Sequence, residues 1–214
     1  MRLAGLAVHQ LELPLTTPYH LALGDVTRFE TLVVEASDGE GGTGFGEATV
    51  LTGYTAETIG QAWTIATTLA EEAVGLEAVD AIALFENSFR AAPFTVTALT
   101  TAVEMLEGHE VLYESGPVPL LALVNETEPA AIEREVEDRI AAGYGTLKVK
   151  VGWEVAADLA RVTVIQKAVA GRAAIRIDAN QGYSQEDAIV FVSGLAPDGV
   201  ELVEQTCAAG DWEA

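Results

Sequence analysis

The second half of the sequence alternates between strand-like and helix-like segments, and this alternation constrains the fold more than any other feature. Apolar strand patterns cover 118–124, 146–151, 173–179 and 200–204, and helical patterns lie between them at 128–142, 156–170 and 185–195. Strands that alternate with helices in this way are joined by right-handed crossovers and run parallel. The sequence therefore predicts an α/β region with a parallel sheet.

The first half of the sequence has a different character. Residues 1–50 show strand patterns, with a glycine-rich segment at 37–44 that predicts a hairpin turn, because no Gly-Lys-Ser/Thr follows it as in a phosphate-binding loop. Residues 55–112 show helical periodicity, with Thr55 as the expected N-cap of the first helix. We expect residues 16–28 to form a long mobile connection. The change of class predicts an α+β domain over 1–115 and a second domain over 116–214.

The charge of the chain excludes several kinds of partner. Asp and Glu number 33 against 11 Lys and Arg, which gives a net charge of −22. Such an acidic surface repels nucleic acid and anionic lipid, and no apolar run approaches the roughly 18 residues of a membrane span. Cys207 is the single cysteine, so no disulfide is possible within the chain. These features predict a soluble, cytoplasmic protein with no nucleic-acid or membrane partner.

Two of the three lysines in the sequence stand two residues apart in one predicted strand. Lys148 and Lys150 share one face of this strand, because strand side chains alternate. Burial and mutual repulsion both lower the pKa of an ammonium group, which would make one of them a usable base near neutral pH. An edge strand with solvated lysines is the alternative interpretation.

Polar residues also mark the carboxyl ends of the next two strands. Asp178 and Asn180 share a face in one strand, and Glu204 ends the following strand. Ligands bind at this edge of parallel α/β sheets, and carboxylate oxygens suit Mg²⁺. The pattern predicts that Asp178 and Glu204 bind a cation that stabilises negative charge on a substrate. An ordinary turn at Asp178 and Asn180 is the alternative.

Three strings around these residues resemble the enolase superfamily, specifically its muconate-lactonizing and mandelate racemase-like subgroup, which includes muconate cycloisomerase, N-acylamino acid racemase and dipeptide epimerase. The strings are Leu-Lys-Val-Lys-Val-Gly, Ile-Asp-Ala-Asn-Gln-Gly-Tyr and Val-Glu-Leu-Val-Glu-Gln. The resemblance implies an α+β capping domain over 1–115, followed over 116–214 by the first half of a TIM-type (β/α) barrel. It also implies a homo-oligomeric isomerase or lyase that uses Mg²⁺ to remove a proton alpha to a carboxylate, through an enolate, from a small carboxylate substrate.

The resemblance also assigns roles to residues. Lys150 resembles the base that removes the proton, and Lys148 the lysine that contacts the substrate carboxylate. Asp178 and Glu204 resemble the first two metal ligands, and Asn180 a substrate-contacting residue. Capping loops at 17–25 and 52–54 contribute the candidate substrate contacts Tyr19, His20 and Tyr54.

The sequence also departs from the family pattern. A third metal-binding carboxylate and a second lysine base would lie beyond residue 214, and Thr206 replaces a frequent proline. We therefore expect a truncated barrel, a fragment of a longer chain, in which activity of the 214 residues alone is doubtful.

Two other hypotheses remain open at this point. One is an inactive fragment or a non-catalytic binding protein, which a lack of Mg²⁺ binding at Asp178 and Glu204 would favour. The other is an enzyme in which a buried lysine attacks a carbonyl to form a Schiff base, with Asp178 and Glu204 as acid and base groups. Borohydride trapping separates the Schiff-base enzyme from the Mg²⁺-dependent one.

Overall fold

A computed structural model describes residues 1–21 and 24–213, without the side chains of Thr17, His20 and Leu21. The chain divides into two compact units. The first contains Met1–Tyr19 and Asp25–Gly116, and the second contains the segment at 20–24 and the residues from Pro117 onward. None of the helices within the described ranges has the length and apolar character needed to cross a membrane.

The first unit contains a three-stranded sheet in the order β1-β2-β3, formed by β1 (Gly5–Leu21), β2 (Gly24–Ser37) and β3 (Thr43–Thr49). Strands β2 and β3 are antiparallel, and the glycine-rich segment forms the turn between them. In this turn Asp38 accepts the backbone N–H groups of Glu40 and Gly42 at 2.8 and 2.9 Å. The prediction of a long mobile connection at 16–28 was wrong, because β1 and β2 extend into this segment. The segment contains Thr, Tyr and Val residues, which favour strand.

Three helices complete the first unit: α1 (Ile59–Ala73), α2 (Ala78–Glu86) and α3 (Pro93–Glu107), followed by a 3-10 turn at Glu110–Tyr113. Helix α1 begins one turn later than predicted. Its N-cap is Thr58 rather than Thr55, because Thr58 and Gln61 form a reciprocal capping box. Helix α3 lies against β3, and Ala98, Leu99 and Ala102 are fully buried in the core of the unit.

The second unit is built on a four-stranded parallel sheet in the order β4-β5-β6-β7. Its strands are β4 (Ala122–Val124), β5 (Thr146–Lys150), β6 (Ala174–Asp178) and β7 (Val200–Glu204), and its helices are α4 (Pro129–Ala141), α5 (Val155–Val169) and α6 (Gln185–Gly194). The predicted α/β alternation is confirmed. Strand β4 is shorter than predicted, since Val118 and Leu120 are exposed and only 122–124 pair with β5.

One face of this sheet is apolar and packs on the helices. Leu147, Val149, Ile175 and Ile177 from β5 and β6 are at most 1% exposed and contact a core that includes Ile132, Val162 and Phe191. At the lower edge of the sheet, each of the three turns that lead from a helix into the next strand contains a glycine with positive φ: Gly143, Gly171 and Gly199. Because the apolar side chains face the helices, the alternate side chains of β5 and β6 lie on the opposite face, where the polar residues are.

Candidate active site

Pairing between strands brings the predicted residues to one level at the carboxyl edge of the parallel sheet. Lys150, the last residue of β5, lies opposite Asp178, the last residue of β6, and Asp178 lies opposite Glu204, the last residue of β7. Neighbouring residues at the same level of a parallel sheet share a face. The three strands therefore end in adjacent side chains on the polar face.

A β-bulge is needed for Glu204 to reach this face. Ile175 pairs with Val200, but Arg176 pairs with Leu202, so β7 has one extra residue at that point. The extra residue lets Val200 and Val203 both pack against the helix-covered core while Glu204 lies beside Asp178. Regular alternation from Val200 would place Glu204 on the same face as Val200.

Lysines and carboxylates on the polar face form one hydrogen-bonded cluster. Lys150 Nζ lies 2.6 Å from Asp178 Oδ2 and 2.7 Å from Asn180 Oδ1. Lys148 Nζ lies 2.8 Å from the same Asp178 oxygen and 3.0 Å from Glu204 Oε2. The structure therefore connects five of the predicted residues, Lys148, Lys150, Asp178, Asn180 and Glu204, through hydrogen bonds and ion pairs.

The burial of this cluster excludes the interpretation of β5 as an edge strand with solvated lysines. Strand β5 is internal in the sheet, and Lys150 is only 8% exposed. Asn180 N does donate to Asp178 Oδ1 at 2.9 Å, so the predicted turn is present as well. The turn and the cluster coexist, because Asn180 has a left-handed backbone with φ of 45° and directs its amide oxygen at Lys150.

The electrostatics of Lys148 differ from the sequence-based expectation. Burial lowers the pKa of Lys148, but its hydrogen bonds to Asp178 and Glu204 outweigh this effect, and the pKa lies above its usual value. Burial raises the pKa of Asp178, but the hydrogen bonds from Lys148 and Lys150 outweigh it, and the pKa falls below its usual value. The prediction of a lowered pKa was therefore wrong for Lys148, because its hydrogen bonds to the facing carboxylates stabilise its charge more than burial destabilises it.

The donor set at Asp178 and Glu204 fits a divalent cation. One oxygen of each carboxylate lies within 3.0 Å of the same positively charged Lys148 Nζ, so the two carboxylates converge on a single cationic group. Mg²⁺ is commonly held by one or two carboxylates, with water and substrate oxygens completing an octahedron. The described residues contain no group of three or more His, Cys, Asp or Glu that could hold a metal. Within these ranges, Asp178 and Glu204 are thus the two carboxylates that would hold such a cation.

The three predicted substrate contacts from the capping loops belong to the N-terminal half of the sequence. Tyr19 lies near the end of β1 and is half-buried, and Tyr54 lies in a turn after β3 and is also half-buried. The side chain of His20 lies outside the described residues. Substrate contact by Tyr19, His20 and Tyr54 stays a prediction.

Sequence reasoning missed three side chains that hold the loops around Lys150, those of Arg161, Asp158 and Tyr183. Arg161, on α5, donates to the carbonyls of Val124, Glu126 and Lys150 at 2.7, 3.0 and 2.8 Å. Asp158, one turn earlier on α5, accepts the Tyr183 hydroxyl at 2.7 Å and the N–H groups of 152–154. An acidic residue in the first turn of a helix that follows the lysine strand was the available signal for Asp158.

A cavity of about 320 Å³ reaches Lys150 at this edge of the sheet. It lies between the loops that follow β4 and β5, and its walls include Asn125, Trp153 and Arg161. Burial lowers the pKa of Arg161, and the nearby carboxylates of Asp158 and Glu135 oppose this effect. The cavity therefore borders the end of β5, but Asp178 and Glu204 are not among the residues that line it.

Comparison with known proteins shows which family part of this chain resembles. Residues 131–214 match the family model described as "Enolase C-terminal domain-like". The chain is 26% identical over 226 residues to the hydrophobic dipeptide epimerase of Enterococcus faecalis, covering 100% of this chain and 63% of the relative. The chain thus spans less than two thirds of the length of that curated relative.

Two solved structures have the same fold along the whole chain or nearly so. A dipeptide epimerase from Enterococcus faecalis V583, complexed with Mg and the dipeptide L-Leu-L-Tyr, is 26% identical and matches with a TM-score of 0.88 over 100% of this chain and 63% of its own. A muconate lactonizing enzyme from Pseudomonas fluorescens is 23% identical and matches in fold with a TM-score of 0.85, over 97% of this chain and 60% of its own. Residues 131–214 thus match an enolase C-terminal-like domain, and the chain is similar to dipeptide epimerases and racemases, which agrees with the resemblance to the muconate-lactonizing and mandelate racemase-like subgroup.

Proposed function

We propose that this chain supplies the base and two metal ligands for Mg²⁺-dependent removal of a proton from the carbon next to a carboxylate. The observation that carries the proposal is the hydrogen-bonded cluster at the ends of β5, β6 and β7, in which Lys150, Asp178 and Asn180 are buried. In it Lys150 Nζ lies 2.6 Å from Asp178, a carboxylate that converges with Glu204 on one cationic group. A base and a cation site that share one carboxylate suit a reaction in which proton loss and charge stabilisation occur at adjacent atoms.

Each residue of the cluster has a role in this proposal. Lys150, as the neutral amine, accepts the proton at Nζ, while Asp178 and Asn180 hold that nitrogen in place. Asp178 and Glu204 would hold Mg²⁺, which supplies stabilisation of the negative charge that develops on the substrate carboxylate. Lys148 attracts the substrate carboxylate by its positive charge.

We further propose a dipeptide as the substrate and epimerisation as the reaction. The support comes from relatives: the Enterococcus faecalis protein is a hydrophobic dipeptide epimerase, and the matching structure contains Mg and L-Leu-L-Tyr. Because this chain spans 63% of that relative, epimerisation is proposed for the protein to which these residues belong. Proton removal is the step that these residues themselves support.

The test is exchange of the α-proton of hydrophobic dipeptides in D₂O with Mg²⁺, followed by NMR. Lys150→Met removes the proposed base, and loss of a general base slows proton transfer by roughly 10²- to 10⁴-fold. Lys167→Met is the matched control, because Lys167 is the third lysine and is exposed on α5. Exchange that persists in Lys150→Met or in excess EDTA would contradict the proposal, and covalent trapping by borohydride with a carbonyl substrate would point to a Schiff base instead.

A further inference from the structure

We propose that Arg161 is a positioning residue for Lys150. Its guanidinium fixes the main chain at the end of β5 and thereby the direction of the Lys150 side chain. This inference rests on the proposed function, because that function makes Lys150 the base. The effect of Arg161 on the position of Lys150 can nevertheless be tested without measuring turnover.

The hydrogen bonds of Arg161 converge on the ends of two strands. Its Nη1 donates to the carbonyl of Lys150 at 2.8 Å, and its Nη2 donates to the carbonyl of Val124 at 2.7 Å. Lys150 and Val124 are the last residues of the neighbouring strands β5 and β4. One planar group therefore joins the ends of two neighbouring strands, next to their last pair, Val124 and Val149.

The same guanidinium also holds the loop that follows β4. Its Nε donates to the carbonyl of Glu126 at 3.0 Å. Three carbonyls are therefore bound by three different nitrogens of a rigid fork, an arrangement that the single nitrogen of a lysine ammonium does not reproduce. A change of Arg161 to Lys is thus not conservative at this position.

Asp158 holds the main chain that follows Lys150. Its Oδ2 accepts the N–H groups of Gly152, Trp153 and Glu154 at 3.0, 3.0 and 3.2 Å. Asp158 and Arg161 are one helical turn apart on α5. A single helix therefore holds the main chain both at Lys150, through Arg161, and at residues 152–154, through Asp158. The Nζ of Lys150 is then directed at two oxygens 2.6 and 2.7 Å away, a geometry sensitive to small main-chain movements.

The chain offers a direct spectroscopic readout, because it has only three lysines: Lys148, Lys150 and Lys167. Selective ¹⁵N-lysine labelling gives three Nζ signals, which the Lys150→Met and Lys167→Met variants assign. We expect Arg161→Gln to shift or broaden the Lys150 signal and to leave that of Lys167 in place. In the exchange assay we expect up to about 100-fold lower kcat with little change in KM, as for a small displacement of a reacting group.

Arg172→Gln is the matched control. Arg172 also binds main-chain carbonyls, those of Ala168 and Val169, but it lies just beyond the opposite end of α5. We expect it to leave all three lysine signals unchanged. Should Arg161→Gln not fold, Arg161→Lys serves in its place, with its additional lysine signal identified by comparison with the wild type.

The outcomes separate this inference from the proposed function. A Lys150 signal that superimposes on the wild type in the Arg161 variants, or that moves equally in Arg172→Gln, would overturn the positioning role even if exchange is observed. A selective shift of the Lys150 signal supports the positioning role even if no dipeptide exchanges its proton, in which case the proposed function alone fails.

Discussion

The hydroxyl of Tyr183 should make a measurable contribution to the stability of the second unit. It donates to Asp158 Oδ2 at 2.7 Å, and both side chains are buried, at 6% and 5% exposure. A hydrogen bond to a charged group contributes about 1.5–3 kcal/mol. In Tyr183→Phe, Asp158 keeps three backbone donors and the ring keeps its contact with Phe191, at a centroid distance of 5.2 Å. We therefore expect the free energy of unfolding to fall by about 2 kcal/mol, near the lower half of that range.

The same hydrogen bond makes the loss of stability in Tyr183→Phe depend on pH. Burial and the charge of Asp158 raise the pKa of Tyr183 above its usual value. A tyrosine in the unfolded chain loses its proton near pH 10, whereas the folded protein keeps it, so the stabilisation is complete below about pH 10 and declines as the pH rises further. Well above pH 10, the free energy of unfolding of the wild type falls by about 1.4 kcal/mol per pH unit through this group. Since Tyr183→Phe has no such decline, the stability difference between wild type and variant should narrow above pH 10.

The assay is urea unfolding followed by tryptophan fluorescence in a Trp63→Phe background. In that background the remaining tryptophans, Trp153 and Trp212, both report on the second unit. Tyr144→Phe is the control, because Tyr144 packs against the same core and its hydroxyl has no hydrogen-bond partner among the described residues. Equal stability of the Tyr183 and Tyr144 variants, or a stability difference from wild type that stays constant up to pH 11, would refute the reasoning.

Three further predictions concern the first unit. Glu57→Gln should lower its free energy of unfolding by about 2 kcal/mol, because the buried Glu57 carboxylate accepts two backbone N–H groups and a hydroxyl at the start of α3; urea unfolding would check this. Thr58→Ala should cost about 1 kcal/mol, because it removes the capping box with Gln61, and a thermal midpoint equal to wild type would contradict it. The backbone N–H of Glu40 lowers the pKa of Asp38, so stability from this turn is present above about pH 4 and is lost as the pH falls further. Asp38→Asn should therefore lose stability at pH 7 but show a weaker dependence on acid, measured by unfolding from pH 7 to pH 2.

The elements that the sequence predicts best are those with a long, strong period. Helices α4 and α5 begin and end within one residue of their predicted bounds, because apolar residues recur on one side over several turns. Strand β4 was predicted four residues too long at its start. Val118 and Leu120 are apolar but exposed, and an apolar run does not reveal whether a neighbouring strand is present to pair with it.

The candidate site was predictable only in part. Alternation within β5 and β6 predicts that Lys148, Lys150 and Asp178 lie on the polar face of the sheet. The same does not hold for Glu204, because alternation from Val200 would place it on the helix-covered face, and only the bulge in β7 brings it to Asp178. The raised pKa of Lys148 also depends on contacts between strands, which a single sequence does not contain.

The position of the cluster at one edge of the parallel sheet has a consequence for how this chain can be altered. All five clustered residues lie along β5 or near the ends of β5, β6 and β7, whereas Gly143, Gly171 and Gly199 mark the turns at the other edge and are equally spaced along the chain. A side chain added at any of these three glycines would meet open space. Peptide tags, fluorescent reporters or fused domains inserted at these turns would therefore lengthen the protein without changing the spacing of its lysines and carboxylates. The lower edge of the parallel sheet is thus the place at which this chain can be engineered independently of its chemistry.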